Sequence, residues 1–156
     1  MKFPLFPLLI NIHEREILIV GGGRVAARRA DTLLRCGAKV TAVSPNFIEN
    51  FPREVVKICR EFIVSDIEKK FLFVIAASDK REINKLVHDA AKALDIPVNI
   101  ADCQNECDFF FPSLINCENI SVSVSSAGES SKLTRRLSDR LRKIWPSWVS
   151  DEKKFL

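Results

Sequence analysis

The stretch Glu16-Ile-Leu-Ile-Val-Gly-Gly-Gly-Arg-Val-Ala-Ala-Arg-Arg29 decides the fold. A short apolar run, Ile17 to Val20, enters a glycine cluster, and a helical pattern leaves it. The run reads as a buried strand. Gly21, Gly23 and Ala26 stand at the GxGxxA spacing of the dinucleotide fingerprint. Gly21 allows the tight turn, and Gly23 lets phosphates approach with no Cβ in the way. Ala26 is small enough for the helix to pack closely on the strand. The free N–H groups and the dipole of the new helix then face the phosphate charge.

Glycines also make tight turns where no ligand binds, so the context decides. Val25, Ala26, Ala30, Leu33 and Leu34 give the helix one apolar face, and Cys36-Gly37 closes it with glycine near its C-cap. A second strand, Lys39-Val-Thr-Ala-Val43, follows at once. It ends in Ser44-Pro45-Asn46, where a nicotinamide dinucleotide site usually has an acid for the ribose hydroxyls. Ser44 and Asn46 could bond to a ribose. No acid there selects NAD, and no arginine beside them welcomes a 2′-phosphate.

At 156 residues, the chain has room for one domain with a small appendage and enough length to bury a core. With 47% apolar and 28% charged residues, it reads as soluble and globular. No apolar run approaches a membrane span. The start, Met1-Lys-Phe-Pro-Leu-Phe-Pro-Leu-Leu-Ile10, superficially resembles a signal peptide. Its two prolines, its single lysine and the lack of a small-residue cleavage site argue for an extended segment packed on the domain instead. Cysteines 36, 59, 103, 107 and 117 are odd in number and lack framework spacing, so reduced thiols in a cytoplasmic protein are expected. Cys103 and Cys107 lie far in sequence from His13 and His88, so no metal site is expected.

The net charge of +4 is concentrated late: Lys132, Arg135, Arg136, Arg140, Arg142 and Lys143 face only Asp139 between positions 131 and 144. That is either an ordinary solvated helix face or a site for a small polyanion. Without a recognition motif or an exposed aromatic platform, nucleic acid is not the expected partner.

Further along, Val55 to Phe62 reads as a third strand and Lys70 to Ala77 as a nearly all-apolar fourth, buried on both faces. Ser78 or Asp79 should cap the next helix, with Glu82 completing a capping box. That helix carries the stripe Ile83, Leu86, Val87, Ala90, Ala91 and Leu94, and Pro97 to Ala101 is a fifth strand. Alternating strands and helices imply a Rossmann-like, doubly wound parallel sheet, an α/β fold. After it, Asp108–Ile115 and Ile120–Ser125 read as a β-hairpin, followed by a helix ending at Trp145-Pro146. A lone hairpin and helix bury themselves poorly. This gives two regions, a nucleotide-binding part over 1–108 and a small C-terminal dimerisation and substrate-contacting part over 109–156. Phe109, Phe110, Phe111, Leu114, Ile115 and the leucine stripe are expected to be covered by a second copy in a homodimer.

Taken together, these residues resemble the precorrin-2 dehydrogenase family, which includes the N-terminal module of siroheme synthase. The resemblance runs through Phe3-Pro4-Leu5-Phe6, Val20 to Ala26, Ala38-Lys-Val-Thr41, Ser44-Pro45, Ala76-Ala-Ser-Asp79 and Asn84. It continues in Val98-Asn-Ile-Ala-Asp102, Phe111-Pro-Ser113, Val124-Ser-Ser-Ala-Gly128 and Arg135-Arg136-Leu137. Each piece is weak alone, but the ordered set is specific.

The resemblance implies oxidation of precorrin-2 to sirohydrochlorin with NAD, on the route to siroheme; some members also insert ferrous iron. Carried over by position, Gly21, Gly22, Gly23, Arg24 and Val25, with Ser44, Pro45 and Asn46, would hold the nucleotide, joined by Ala77 and Ser78. Asp102 would be the acid–base residue by the resemblance, although its local sequence alone favours a surface turn residue. Ser125, Ser126, Gly128 and Arg135 are the implied substrate contacts, to a macrocycle carrying eight carboxylates. Ala127-Gly128 stands where the family has Gly-Gly, and Ser130-Ser131 where it has Ser-Pro. Members commonly continue beyond the position of Leu156 into a helical module, so metal insertion is expected to be weak or absent here. The alternative is a regulatory domain that binds NAD and does no chemistry; it would need neither Asp102 nor the Ser125-Ser126 tail.

Overall fold

The computed structural model describes residues 5–118, 120–126 and 129–152. They divide into two compact units, one spanning residues 8–109 and the other formed by residues 5–7 with the chain from Phe110 onward.

The larger unit runs β1 (Glu16–Val20), α1 (Arg24–Arg35), β2 (Lys39–Val43), β3 (Val56–Ile58), β4 (Phe73–Ala76), α2 (Arg81–Ala93) and β5 (Val98–Ile100). All five strands are parallel, in the order β3-β2-β1-β4-β5. The chain starts in the middle, winds out to one edge, then returns to the other side of β1. Such a sheet has its switch point between β1 and β4, where ligands bind at the carboxyl ends of the strands. The register brings those ends together: Val20 lies opposite both Val43 and Ala76, and Ala76 opposite Ile100.

Strand alternation divides the core between the two faces. Leu18, Val20, Val74, Ala76, Val98 and Ile100 pack with Val87, Ala90 and Ala91 of α2. Each of the valines, Leu18 and Ile100 contributes about 1.5–3 kcal/mol by leaving water, and the alanines less. Asn99, between Val98 and Ile100, faces the other way and accepts a hydrogen bond from Arg29 of α1. On α1 the buried residues are Ala26, Ala30 and Leu33, while Val25, expected on the apolar face, is 39% exposed. The C-terminus of α1 matches expectation. Gly37, at φ +80°, donates to Leu34 O at 2.9 Å and Ala38 N–H to Leu33 O at 3.1 Å, the Schellman pattern.

Several expectations change. β3 covers only Val56–Ile58, because Phe62 is drawn into the core on the α2 side. α2 starts at Arg81 with Lys80 as N-cap, so the box from Asp79 to Glu82 does not form. Leu86 of the predicted stripe is exposed, and Asn84 is buried in its place. The N-terminal residues 5–10 are free of regular structure, as an extended segment should be. Leu8, Leu9 and Ile10, expected to pack on the domain, are exposed instead. Phe3 and Pro4, quoted in the resemblance, lie outside the described residues.

The smaller unit holds β6 (Ser113–Cys117), β7 (Ile120–Val124) and α3 (Ser131–Glu152). β6 and β7 form the antiparallel hairpin, with Cys117 opposite Ile120 and Glu118 in the left-handed region at φ +50°. β6 begins later than expected because Asp108 completes β5 instead: its N–H donates to Val98 O and its carboxylate accepts from Val98 N–H, both at 2.9 Å. Arg142 ties α3 to β6 by donating to Ser113 Oγ at 2.9 Å. α3 does not stop at Pro146 but continues to Glu152. The proline lacks the N–H that would bond the Arg142 carbonyl; beyond it Val149 is buried, and Trp145 and Trp148 meet edge to face at 6.4 Å. Among the described residues, no helix is long and apolar enough to cross a membrane.

Candidate functional site

The three glycines after β1 have separate surroundings. At Gly21, φ is +131°, and an added Cβ would lie 2.3 Å from Ala77 O. At Gly22 it would lie 2.0 Å from Asn46 O. At Gly23 it would meet nothing within 4 Å. The first two glycines let loops close on one another, and the third faces open space. α1 starts there, with Gly23 as N-cap, no side-chain cap and no acid in its first turn. Its first helical bond runs from Ala27 N–H to Gly23 O at 3.0 Å, so the preceding N–H groups have no partner within the helix. Open space before bare backbone, next to uncapped N–H donors, fits a pyrophosphate. Arg24 and Val25, exposed in the first turn, border the same opening.

The neighbouring loops are stitched to this one. Gly21 N–H donates to Val43 O at 2.9 Å, Ala77 N–H to Val20 O at 2.7 Å and Ile48 N–H to Gly22 O at 3.0 Å. Ser44 is buried, and its hydroxyl donates to Asn46 O at 2.7 Å, so it shapes the loop after β2. Pro45 and Asn46 are exposed at that loop, and Ala77 and Ser78 are half-buried after β4. Gly21 to Val25, Ser44 to Asn46, and Ala77 with Ser78 thus share one edge of the sheet.

Asn84 holds the loop after β4. Fully buried in the first turns of α2, it accepts from Ser78 N–H and donates to Ser78 O, each at 3.0 Å. Its signal in the sequence was a polar residue beside an apolar stripe, one turn before Val87. Asn99 does similar work beneath β5, donating to Phe109 O at 2.6 Å while accepting from Arg29. Burial pushes the Arg29 guanidinium down to about 10. Cys107 Sγ takes Ile100 N–H at 3.2 Å, and burial pushes its thiol up.

Asp102 follows β5 on the same edge, where Ala101 N–H donates to Ala76 O at 2.8 Å. It is solvent-exposed and pairs with Arg81, the first residue of α2, at 3.4 Å. The other arm of Arg81 donates to Glu106 Oε1 at 2.5 Å, and that guanidinium holds the Glu106 carboxyl below its usual range. Glu106 Oε2 is buried with no hydrogen-bond partner among the described residues. Arg81 and Glu106 were not expected, since only folding brings the α2 start beside the turn after β5.

The implied substrate contacts lie in the smaller unit. Ser125 is exposed; Ser126 Oγ accepts from Ser130 N–H at 3.0 Å and Thr134 Oγ1 at 2.9 Å, fixing the approach to α3. Arg135 is exposed, 3.9 Å from Asp139. Gly128 and Ala127 lie outside the described residues. All five cysteines are free thiols. Among the described residues, no group of three or more His, Cys, Asp or Glu side chains could hold a metal.

A parallel sheet in this order, with a glycine loop opening onto an uncapped helix start at its switch point, defines a dinucleotide-binding fold of the Rossmann type. A family model described as putative NAD(P)-binding matches residues 8–113, and the chain belongs to that family. It is 37% identical over 145 residues to a siroheme synthase of Psychrobacter arcticus, covering 90% of this chain and 26% of that protein. It is 35% identical over 147 residues to a siroheme synthase of Pseudoalteromonas translucida, covering 92% and 31%. The chain therefore spans under a third of the length of these curated relatives. A solved structure titled SirC, precorrin-2 dehydrogenase, shares the fold, with a TM-score of 0.75 at 21% identity over 94% of this chain and 76% of that one.

Proposed function

We propose that the chain is an NAD-dependent dehydrogenase acting on precorrin-2 and yielding sirohydrochlorin. The carrying observation is Asp102 at the carboxyl end of β5, on the sheet edge that bears the open glycine loop. The names of the siroheme synthase relatives and of SirC give the substrate class. Bound NAD supplies a hydride acceptor. In this reading the backbone of Gly22 and Gly23 and the start of α1 hold its pyrophosphate, and Asn46, Ala77 and Ser78 line the remainder. One carbon of the macrocycle loses a hydride, and Asp102 takes the accompanying proton. Arg81 orients the Asp102 carboxylate. Ser125, Ser126, Gly128 and Arg135 meet the carboxylates of the substrate, the arginine as a charge-assisted donor. Residues 1–108 carry the nucleotide, and residues 109–156 carry dimer and substrate contacts in a cytoplasmic homodimer.

The test mixes the purified chain with precorrin-2 and NAD and follows NADH together with the tetrapyrrole spectrum. Stoichiometric NADH and sirohydrochlorin are expected. Clear NAD binding without turnover would instead leave a nucleotide-binding regulatory domain.

A further inference from the structure

We propose that Arg60 and Asp66 set the choice between NAD and NADP, with Asp66 holding a guanidinium that would otherwise serve a 2′-phosphate. This rests on the nucleotide reading above and goes beyond it. The end of β2, Ser44-Pro45-Asn46, has neither a carboxylate for the ribose hydroxyls nor an arginine for a phosphate. The adjacent strand supplies the cation. Ser44 N–H donates to Ile58 O at 3.1 Å, and Arg60 N–H donates to the same carbonyl at 3.0 Å. Arg60 therefore leaves β3 beside the point where the adenosine half would cross the end of β2.

Its side chain is already engaged. Arg60 Nη1 donates to Asp66 Oδ2 at 2.8 Å and Nη2 to Oδ1 at 2.5 Å, a bidentate fork. Nη1 also donates to Glu61 O at 2.9 Å. Asp66 is fixed in turn, accepting from Ile63 N–H at 2.9 Å, and its side chain is 8% exposed against 43% for Arg60. The guanidinium holds the Asp66 carboxyl below the usual carboxylate range, so the pair stays charged. Other cations nearby are also directed elsewhere. Lys57 donates to Phe51 O at 3.3 Å and lies over the Phe51 ring, and Lys80 pairs with Glu61 at 3.6 Å. A 2′-phosphate arriving here meets an arginine whose planar fork is filled by a better-buried carboxylate. NAD requires nothing from it.

The experiment titrates the full chain with NADH and with NADPH, following dihydronicotinamide fluorescence, in the parent, Asp66→Asn, Arg60→Gln and the double variant. Asp66→Asn should tighten NADPH about tenfold, the worth of one freed charged hydrogen-bonding group, and leave NADH within about twofold. The double variant should return to the parental ratio. Asp66→Ser, whose hydroxyl can still take the Ile63 N–H, serves if Asp66→Asn misfolds by circular dichroism. An unchanged NADH-to-NADPH ratio in folded Asp66 variants overturns the proposal. So does an Arg60→Gln variant that weakens both cofactors alike, which would make Arg60 an adenosine contact. A parent that prefers NADPH and loses that preference in Arg60→Gln overturns it too, and a parent that binds neither cofactor removes the nucleotide reading itself.

Discussion

A methyl group added at Gly22 would sit 2.0 Å from Asn46 O, and one at Gly21 would sit 2.3 Å from Ala77 O, while one at Gly23 would enter open space. Gly21→Ala and Gly22→Ala should therefore lower the melting temperature. Gly23→Ala, at φ −85° on its backbone, should melt like the parent and lose NAD affinity in a fluorescence titration. Weakened melting with intact binding in Gly23→Ala would place the nucleotide elsewhere. The positive φ at Gly21 and the open space at Gly23 were legible because spacing alone encodes a turn and room before a helix start. The role of Gly22 was not, since its neighbour Asn46 arrives only when β2 pairs with β1. Asp102 shows the same limit: its position at the strand end was readable, its partner Arg81 was not. Asp102→Asn keeps the shape and removes the carboxylate. It should leave NAD affinity unchanged and slow turnover about 10²–10⁴-fold. Turnover within a few-fold of the parent would return Asp102 to the role of a turn residue.

Elements were legible where periodicity and punctuation agreed. β1, α1 and β2 follow from an apolar run, a glycine cluster and Gly37, and both ends of α1 fall where those signals put them. α2 closes with the same Schellman geometry, Asp95 N–H to Lys92 O at 3.1 Å and Ile96 N–H to Ala91 O at 3.0 Å, but with Asp95 at φ +57° where a glycine would have announced it. Its start was misplaced because Asn84, in the first turn of the helix, performs the loop-holding work that a capping box would do. α3 continues past its proline, and the contact that lies beyond it, the burial of Val149, is one that a sequence does not display. Asn84→Leu fits the size of the site but strands the N–H and carbonyl of Ser78. The cost should be about 1–3 kcal/mol of stability by urea unfolding. NAD affinity should fall with it, since the β4 loop loses its tether. Unfolding unchanged within error would mean that the loop holds itself.

At the scale of the whole molecule, the larger unit has its own two-faced core, and the smaller one leaves apolar surface uncovered. Part of the surface expected to need a partner is satisfied within the chain: Ile115 is buried and Phe109 lies against Phe73 at 4.7 Å. Phe110, Phe111 and Leu114 are half-buried. Exposed apolar side chains gather on α3 and β7, where Leu133 is 52% and Trp148 53% exposed, with Leu137, Ile144 and Ile120 exposed as well. Apolar surface gathered on one helix and its neighbouring strand is unusual for a monomer. Two copies joined through residues 109–144 would cover Ile120, Leu133, Leu137 and Ile144, and because such a pair is two-fold symmetric, each patch would meet its own likeness. The basic residues Arg136, Arg140 and Lys143 share α3 with that stripe and would be left for an anionic ligand. Light scattering at micromolar protein should give twice the 17.7 kDa chain mass. Leu133→Asp with Leu137→Asp should shift it to the single-chain value, while circular dichroism and NAD binding stay at the parental level, because neither residue belongs to the core of the nucleotide unit. A parent that scatters as 17.7 kDa would overturn the dimer.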